Sequence, residues 1–185
     1  MVMIQQRPKG AAPAVQALAT ALPFKDACVD VSLAILTIHH WPDWRRGVQE
    51  LARAARRRVV LLTWDPSAAG FWLVNDYFPE VLTIDRRIFP SIEALGQELG
   101  RLHVESVPIP HDCTDGFLGA YWRRPHAYLS PSVRRAISTF EKMADVEAGV
   151  GRLRQDLESG EWHRRYKTLL ALDSLDLGYR LVIAA

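Results

Sequence analysis

The sequence predicts an α/β protein: a partial doubly wound sheet, mostly parallel, with an antiparallel C-terminal strand and a helical cap. Three observations carry this. Val31, Leu33, Ala34, Ile35, Leu36 and Ile38 form a nearly unbroken apolar run rich in β-formers, the pattern of a strand buried on both faces inside a parallel sheet. A helix-period segment and a second such run, Val59 to Thr63, follow it, and strand, helix, strand makes a right-handed parallel crossover. Last, Tyr179 to Ala184 (YRLVIA) is a terminal apolar strand after Gly178, placed to pair with an earlier run at Leu102.

Taken in order, MVMIQQRPK has the composition of the last turns of a helix, and Ala14 to Leu18 suits a brief strand. Leu22, Pro23 and Phe24 make a rigid apolar corner, and Lys25 and Asp26 a polar turn into the central strand. Pro42 and Asp43 end that strand. Asp43 then caps a helix whose Val48, Leu51, Ala52 and Ala55 recur at helical spacing, with Gly47 lowering its propensity. Arg56, Arg57 and Arg58 fall where its last turn is expected, and cations there suit the helix dipole. After the strand at Val59, a short helix is expected around Phe71 to Tyr77 and an extended piece near Val81 to Ile84. Ser91 caps a helix through Leu99, closed by Gly100. Leu102 to Val107 alternates as an edge strand would, ending at Pro108. Ser130 and Pro131 start a helix with Val133, Ile137, Phe140 and Ala144 on one face. Two more helical stretches carry Leu153 and Leu157, then Trp162, Tyr166 and Leu169. The organisation expected is a sheet core, residues 1–108 with 178–185, and a cap, residues 109–177.

Composition narrows the class. With 185 residues, 49% hydrophobic and 24% charged, the chain suits one sizeable core with a small appendage. A formal net charge of +2 gives no reason to expect nucleic acid or a membrane as partner, and the arginines are scattered. Cys28 and Cys113 stand apart, without metal-ligand spacing or a disulfide framework. No apolar run approaches a membrane span, and a cytoplasmic location is the default expectation.

Open parallel sheets carry their chemistry at the carboxyl ends of their strands. There the sequence gathers Thr37, His39, His40 and Trp41, and after the next strand Trp64, Asp65 and Pro66. His39, His111 and Asp112 are the candidate bases, since imidazole titrates near neutral pH. His40, Tyr121, Trp122 and His126 are candidates for substrate contact. Each has a plainer alternative: a packed histidine at His39 or His40, a loop cap at Asp112, and ties between cap and sheet at Tyr121, Trp122 and His126. No metal is expected.

ALATALPFKDACVDVSLAILTIHHW resembles a segment of the class I S-adenosylmethionine-dependent methyltransferases of the type acting on small molecules, which has a Leu-Pro-Phe corner followed by a strand ending in two histidines. WDP after the next strand and the antiparallel terminal strand also resemble that family, and the likeness covers nearly the whole chain. It implies a Rossmann-like fold, a transferase activity, S-adenosylmethionine as cofactor and a small-molecule substrate. It also implies that Leu18 and Ala19 lie at the adenine ring and that Thr37 and Ile38 lie beside the methionine portion, with His39 and His40 facing the substrate. Where relatives carry acidic residues, this sequence has Leu18 and Thr20, which leaves backbone bonds and apolar stacking for the base.

The family's opening strand and glycine-rich loop, and its second strand ending in a ribose-binding acid, have no counterpart here. The expectation is therefore a truncated cofactor pocket that binds S-adenosylmethionine weakly, and an exposed sheet edge along Val31 to Leu36 through which the chain forms homo-oligomers. Two other functional classes stand beside the methyltransferase: a non-catalytic relative acting through a partner, and a different nucleotide-binding enzyme, for which no GxGxxG or phosphate loop is present.

Overall fold

Four strands form one sheet in the order β1-β2-β6-β3 in the computed structural model, which describes residues 6–68 and 70–185. β1 is Val29–Ile35, β2 Ala55–Trp64, β3 Leu102–Ser106 and β6 Tyr179–Ala184, and a separate two-stranded ribbon pairs β4, Ile109–Pro110, with β5, Ser174–Leu175. β1 and β2 run parallel, and β6 lies antiparallel between β2 and β3. Three strands of the main sheet therefore point one way and the last points back, as the sequence pattern implied. Of the helix end expected in MVMIQQRPK, residues 1–5 lie outside the described residues and residues 6–9 are not helical.

Helix α1, Trp44–Ala54, starts where expected, with an Asp43 carboxylate oxygen accepting from the Arg46 N–H at 3.0 Å. Gly47 has a packing reason. A Cβ there would lie 2.3 Å from the ring of Trp41, so the glycine lets the indole rest on the helix. Helix α2 is Glu80–Ile88 and α3 is Ile92–Leu99, the latter capped by Ser91 Oγ accepting from the Ala94 N–H. Val48 of α1 and Leu95 of α3 pack on Ala34, Val59, Leu61, Val182 and Ala184, so both helices cover the same face of the sheet.

That arrangement corrects the expectation of a central strand buried on both faces. β1 is an edge strand; Ser32 and Ala34 face the helices, while Val31, Leu33 and Ile35 are 47%, 56% and 56% exposed. The cause is sheet order and one-sided helix packing, which no run of apolar residues can announce. The exposed flank along residues 31–36 is the one the sequence led us to expect.

Several local expectations also change. Residues 14–18 form no strand: Leu18 makes a single bridge to Ala21, closed by the Ala21 N–H donating to the Leu18 carbonyl at 3.0 Å, because no neighbouring strand offers a ladder. Arg56, Arg57 and Arg58 lie in β2 rather than in a helix end, since the chain turns extended at Ala55 without a loop; Arg56 and Arg57 then reach Asp30 across the strand pair. The stretch Val81 to Ile84 is helical, with Glu80 in the first turn of α2 and Arg86 and Arg87 in its last, as the helix dipole favours. The helix expected from Pro131 through Ala144 is two pieces, α4 Pro131–Arg135 and α5 Ser138–Glu141, because Ile137 takes an extended conformation and buries its side chain between them. Ser130 makes no capping bond; its hydroxyl meets that of Ser132.

A second core lies over the carboxyl ends of β1 and β2. Trp64, Phe71, Trp72, Tyr77, Phe78, Trp122, Tyr128 and Trp162 are all buried in it. Two of its indoles are satisfied from within, Trp122 Nε1 donating to the Ile109 carbonyl and Trp72 Nε1 to the Trp122 carbonyl, both at 2.9 Å, while Trp162 Nε1 finds no partner among the described residues. Helix α6, Glu147–Glu158, closes on this core through Gly149, where a Cβ would stand 2.6 Å from the Tyr77 carbonyl. A short π-helical turn, Leu73–Tyr77, and helix α7, Glu161–Tyr166, complete it. No helix among the described residues is long and apolar enough to cross a membrane.

Candidate functional site

The chain bends sharply where β1 ends. Leu36 sits at φ 44°, in the left-handed region a leucine rarely occupies, while its N–H still donates to the Leu62 carbonyl at 2.8 Å. This bend throws Ile38–His40 into a single 3-10 turn over the sheet end, with the Ile38 side chain buried beneath it. The following residues supply walls to two spaces. Leu36, His39 and His40 line a cavity under the aromatic core, and Trp41, Pro42 and Asp43 line an open groove beside the Leu-Pro-Phe corner.

The cavity has a volume of about 200 Å³. Trp64, Phe89, Phe117, Leu118 and Ile137 make it apolar; Asp85, Thr139 and Tyr179 make it polar on one side. His39 stacks on Phe89 with ring centroids 4.1 Å apart and stands 4.0 Å from the His40 ring. Its Nδ1 is buried and has no hydrogen-bond partner among the described residues. Burial first, then the neighbouring His40 and Lys142, lower the His39 pKa to about 4, so the ring is neutral at pH 7. His40 is shifted down as well, by burial and then by Lys142. A neutral imidazole with a free nitrogen is a hydrogen-bonding group and a weak base.

Asp85 is the residue that the sequence reading missed. It projects from α2 and is 1% exposed. Its one hydrogen bond among the described residues comes from Thr139 Oγ1 at 3.3 Å. Burial raises its pKa to about 6, against smaller opposing effects of Thr139 and Lys142. Nothing in DRRIF marks Asp85 out, because the segment read as extended and the aspartate stands beside Arg86 and Arg87 as a surface charge would. Only the helical phase of α2 turns it inward. Tyr179 also lines the cavity; it is 4% exposed, and its hydroxyl accepts the Gly119 N–H at 3.0 Å.

The other sequence-predicted residues divide. His111 and Asp112 sit in the turn after β4 and line neither space; the His111 N–H donates to the Asp173 carbonyl. Trp122 is wholly buried and its polar atoms are spent on the core, while His126 is exposed in the 3-10 helix Pro125–Leu129. Tyr121 is half-buried, with the Arg124 guanidinium over its ring. None of these three lines the cavity.

In the groove, Leu18 is 71% and Phe24 43% exposed, and Ala19, Thr20 and Leu22 continue the wall. This loop is held from below by Glu50 and Arg53 of α1. Glu50 accepts the Leu22 N–H at 2.9 Å, and Arg53 donates to the Leu22 and Phe24 carbonyls and to Asp26. The Arg53 hydrogen bonds hold the Glu50 carboxyl down at about 2. Thr37 and buried Ile38 come just before His39 and His40 at the same short turn and line neither the groove nor the cavity.

A mostly parallel sheet with an antiparallel partner strand is a Rossmann-like α/β arrangement. A methyltransferase domain family matches residues 1–63. A structure described as a candidate methyltransferase of an antibiotic biosynthesis pathway from Anabaena variabilis is 35% identical, with TM-score 0.87, over all of this chain and 78% of that one. More distant are a SAM-dependent methyltransferase from Aquifex aeolicus (17% identity, 53% of this chain and 48% of that one, TM-score 0.35) and the YcgJ protein of Bacillus subtilis (18%, 91% and 68%, TM-score 0.46), neither near enough to add to the argument. No curated protein matches. The chain belongs to the class I S-adenosylmethionine-dependent methyltransferases.

Proposed function

We propose that this methyltransferase transfers the methyl group to a small molecule held in the cavity beneath the aromatic core, with the adenine of S-adenosylmethionine in the groove beside Leu18, Ala19 and Trp41. The observation that supports it is the turn at Ile38–His40, whose flanking residues wall both spaces. S-adenosylmethionine supplies an electrophilic methyl on a sulfonium, so the protein's work is alignment and exclusion of water. Thr37 and Ile38 bound the methionine side. His39, neutral and lining the cavity, orients the acceptor through its imidazole ring.

Affinity for the cofactor is expected to be weak. Among the described residues, Asp43 is the one carboxylate lining the groove, and one of its oxygens already caps α1. The cofactor's ribose and amino-acid groups then stay largely hydrated. Calorimetric titration with S-adenosylhomocysteine, together with its release from S-adenosylmethionine in the presence of single-ring alcohols, phenols and amines, tests the assignment. Expected are weak but saturable binding and protein-dependent release with at least one acceptor. His39→Ala should lower turnover about tenfold, the value of one lost hydrogen bond, while leaving cofactor affinity unchanged. Absence of binding even at millimolar cofactor would overturn the proposal.

A further inference from the structure

Resting on the cavity as the acceptor site, we propose that Asp85 sets its specificity: the cavity takes single-ring, largely apolar molecules bearing a cationic or neutral hydrogen-bond donor and rejects anions.

Size comes first. A dry cavity of about 150 Å³ is known to hold benzene, and this one, at about 200 Å³, has room for one ring with a small substituent. Shape and chemistry agree, since Trp64, Phe89, Phe117, Leu118 and Ile137 offer a ring apolar walls. Polarity then selects. Asp85 is buried to 1% exposure and has a single long hydrogen bond, although a carboxylate offers about four acceptor sites. A buried carboxylate so poorly partnered is costly unless something donates to it. Beyond Thr139, no described protein group does. His39 makes no hydrogen bond to it, and the Tyr179 hydroxyl, which accepts the Gly119 N–H, makes none to it either. Among the described residues, Lys142 is the one lysine or arginine whose charge bears on Asp85, His39 and His40, but it stands exposed, where water screens it. A ligand donor is the remaining partner, and an ammonium fits better than a hydroxyl because it also neutralises the charge. A carboxylate ligand would instead meet Asp85 inside an apolar wall, where like charges repel strongly.

The test uses fluorine NMR of 4-fluorobenzylamine, 4-fluorobenzyl alcohol and 4-fluorobenzoate with the full chain at pH 7.5, where Asp85 is ionised. Wild type should bind the amine best, the alcohol next and the benzoate least. Asp85→Asn should weaken the amine roughly tenfold or more and narrow or reverse its lead over benzoate. A filled cavity, Ile137→Trp, should remove amine binding altogether and so locate it. The ranking in wild type alone decides the matter if a variant fails to fold. Equal binding of amine and benzoate by wild type, an unchanged ratio in Asp85→Asn, or no binding of any of the three would overturn the proposal. These probes need no cofactor, so methyl transfer can stand or fall separately, by the calorimetric titration.

Discussion

The aromatic core over the strand ends and the outer face of β1 are equally apolar in sequence and opposite in fate. Trp72, Trp122 and Trp162 are each 2% exposed or less, and their neighbours interlock from segments as distant as Phe71 and Trp162. Leu33 and Ile35, in the longest apolar run of the chain, are more than half exposed. Apolar content therefore does not measure burial; what matters is whether another element is placed to cover the residue. The cavity is walled by the interlocked core, while the groove is walled by a loop that Glu50 and Arg53 tie down.

The contrast is sharpest at Trp122. Trp122→Ala removes a fully buried indole, its bond to Ile109 and the packing around its carbonyl, and should cost about 3–5 kcal/mol in urea denaturation. A loss below 1 kcal/mol would mean that the core is far looser than its burial indicates.

Asp85 and His39 sharpen it further, because the covered side also buries charge. The folded state raises the Asp85 pKa to about 6 and lowers that of His39 to about 4. Between pH 4 and 6 the unfolded chain carries its proton on the histidine and the folded chain on the aspartate. The two contributions to the pH dependence of stability then have opposite signs and largely cancel. For Asp85 the folded state binds more protons than the unfolded, so its contribution is full at low pH and is lost as pH rises through 6. For His39 the unfolded state binds more, so stability is lost as pH falls from 6.5 toward 4. Asp85→Asn should therefore make stability rise more steeply with pH than in wild type, and His39→Gln less steeply, each by about 1 kcal/mol per pH unit within this window. Above pH 6, Asp85→Asn should be more stable than wild type by about 2–3 kcal/mol. Denaturation midpoints at pH 4.5, 5.5 and 7 measure both; parallel curves for the three proteins would refute the coupling.

The smallest effect belongs to the open face. Leu33→Thr keeps a β-former and removes an exposed side chain, so stability should change by no more than about 0.5 kcal/mol. Concentration-dependent self-association, expected from an uncovered apolar edge strand, should fall in sedimentation runs. A destabilisation above 2 kcal/mol would show instead that another chain buries this face.

By itself the sequence determined the alternation of strands and helices, because period and capping are local: Asp43 and Ser91 begin their helices, and Tyr179–Ala184 closes the sheet. It also placed His39 at a strand's carboxyl end, since that position follows from where the apolar run stops. Tertiary structure alone decided which face of β1 is covered, because burial there depends on strand order and on α1 and α3 choosing the same side. It alone decided that Trp122 is core while His39 faces a cavity, two outcomes that the same kind of local pattern permits. And it alone made Asp85 a buried group, for an aspartate flanked by arginines turns inward only when its segment winds into a helix whose inner face lies over the sheet end.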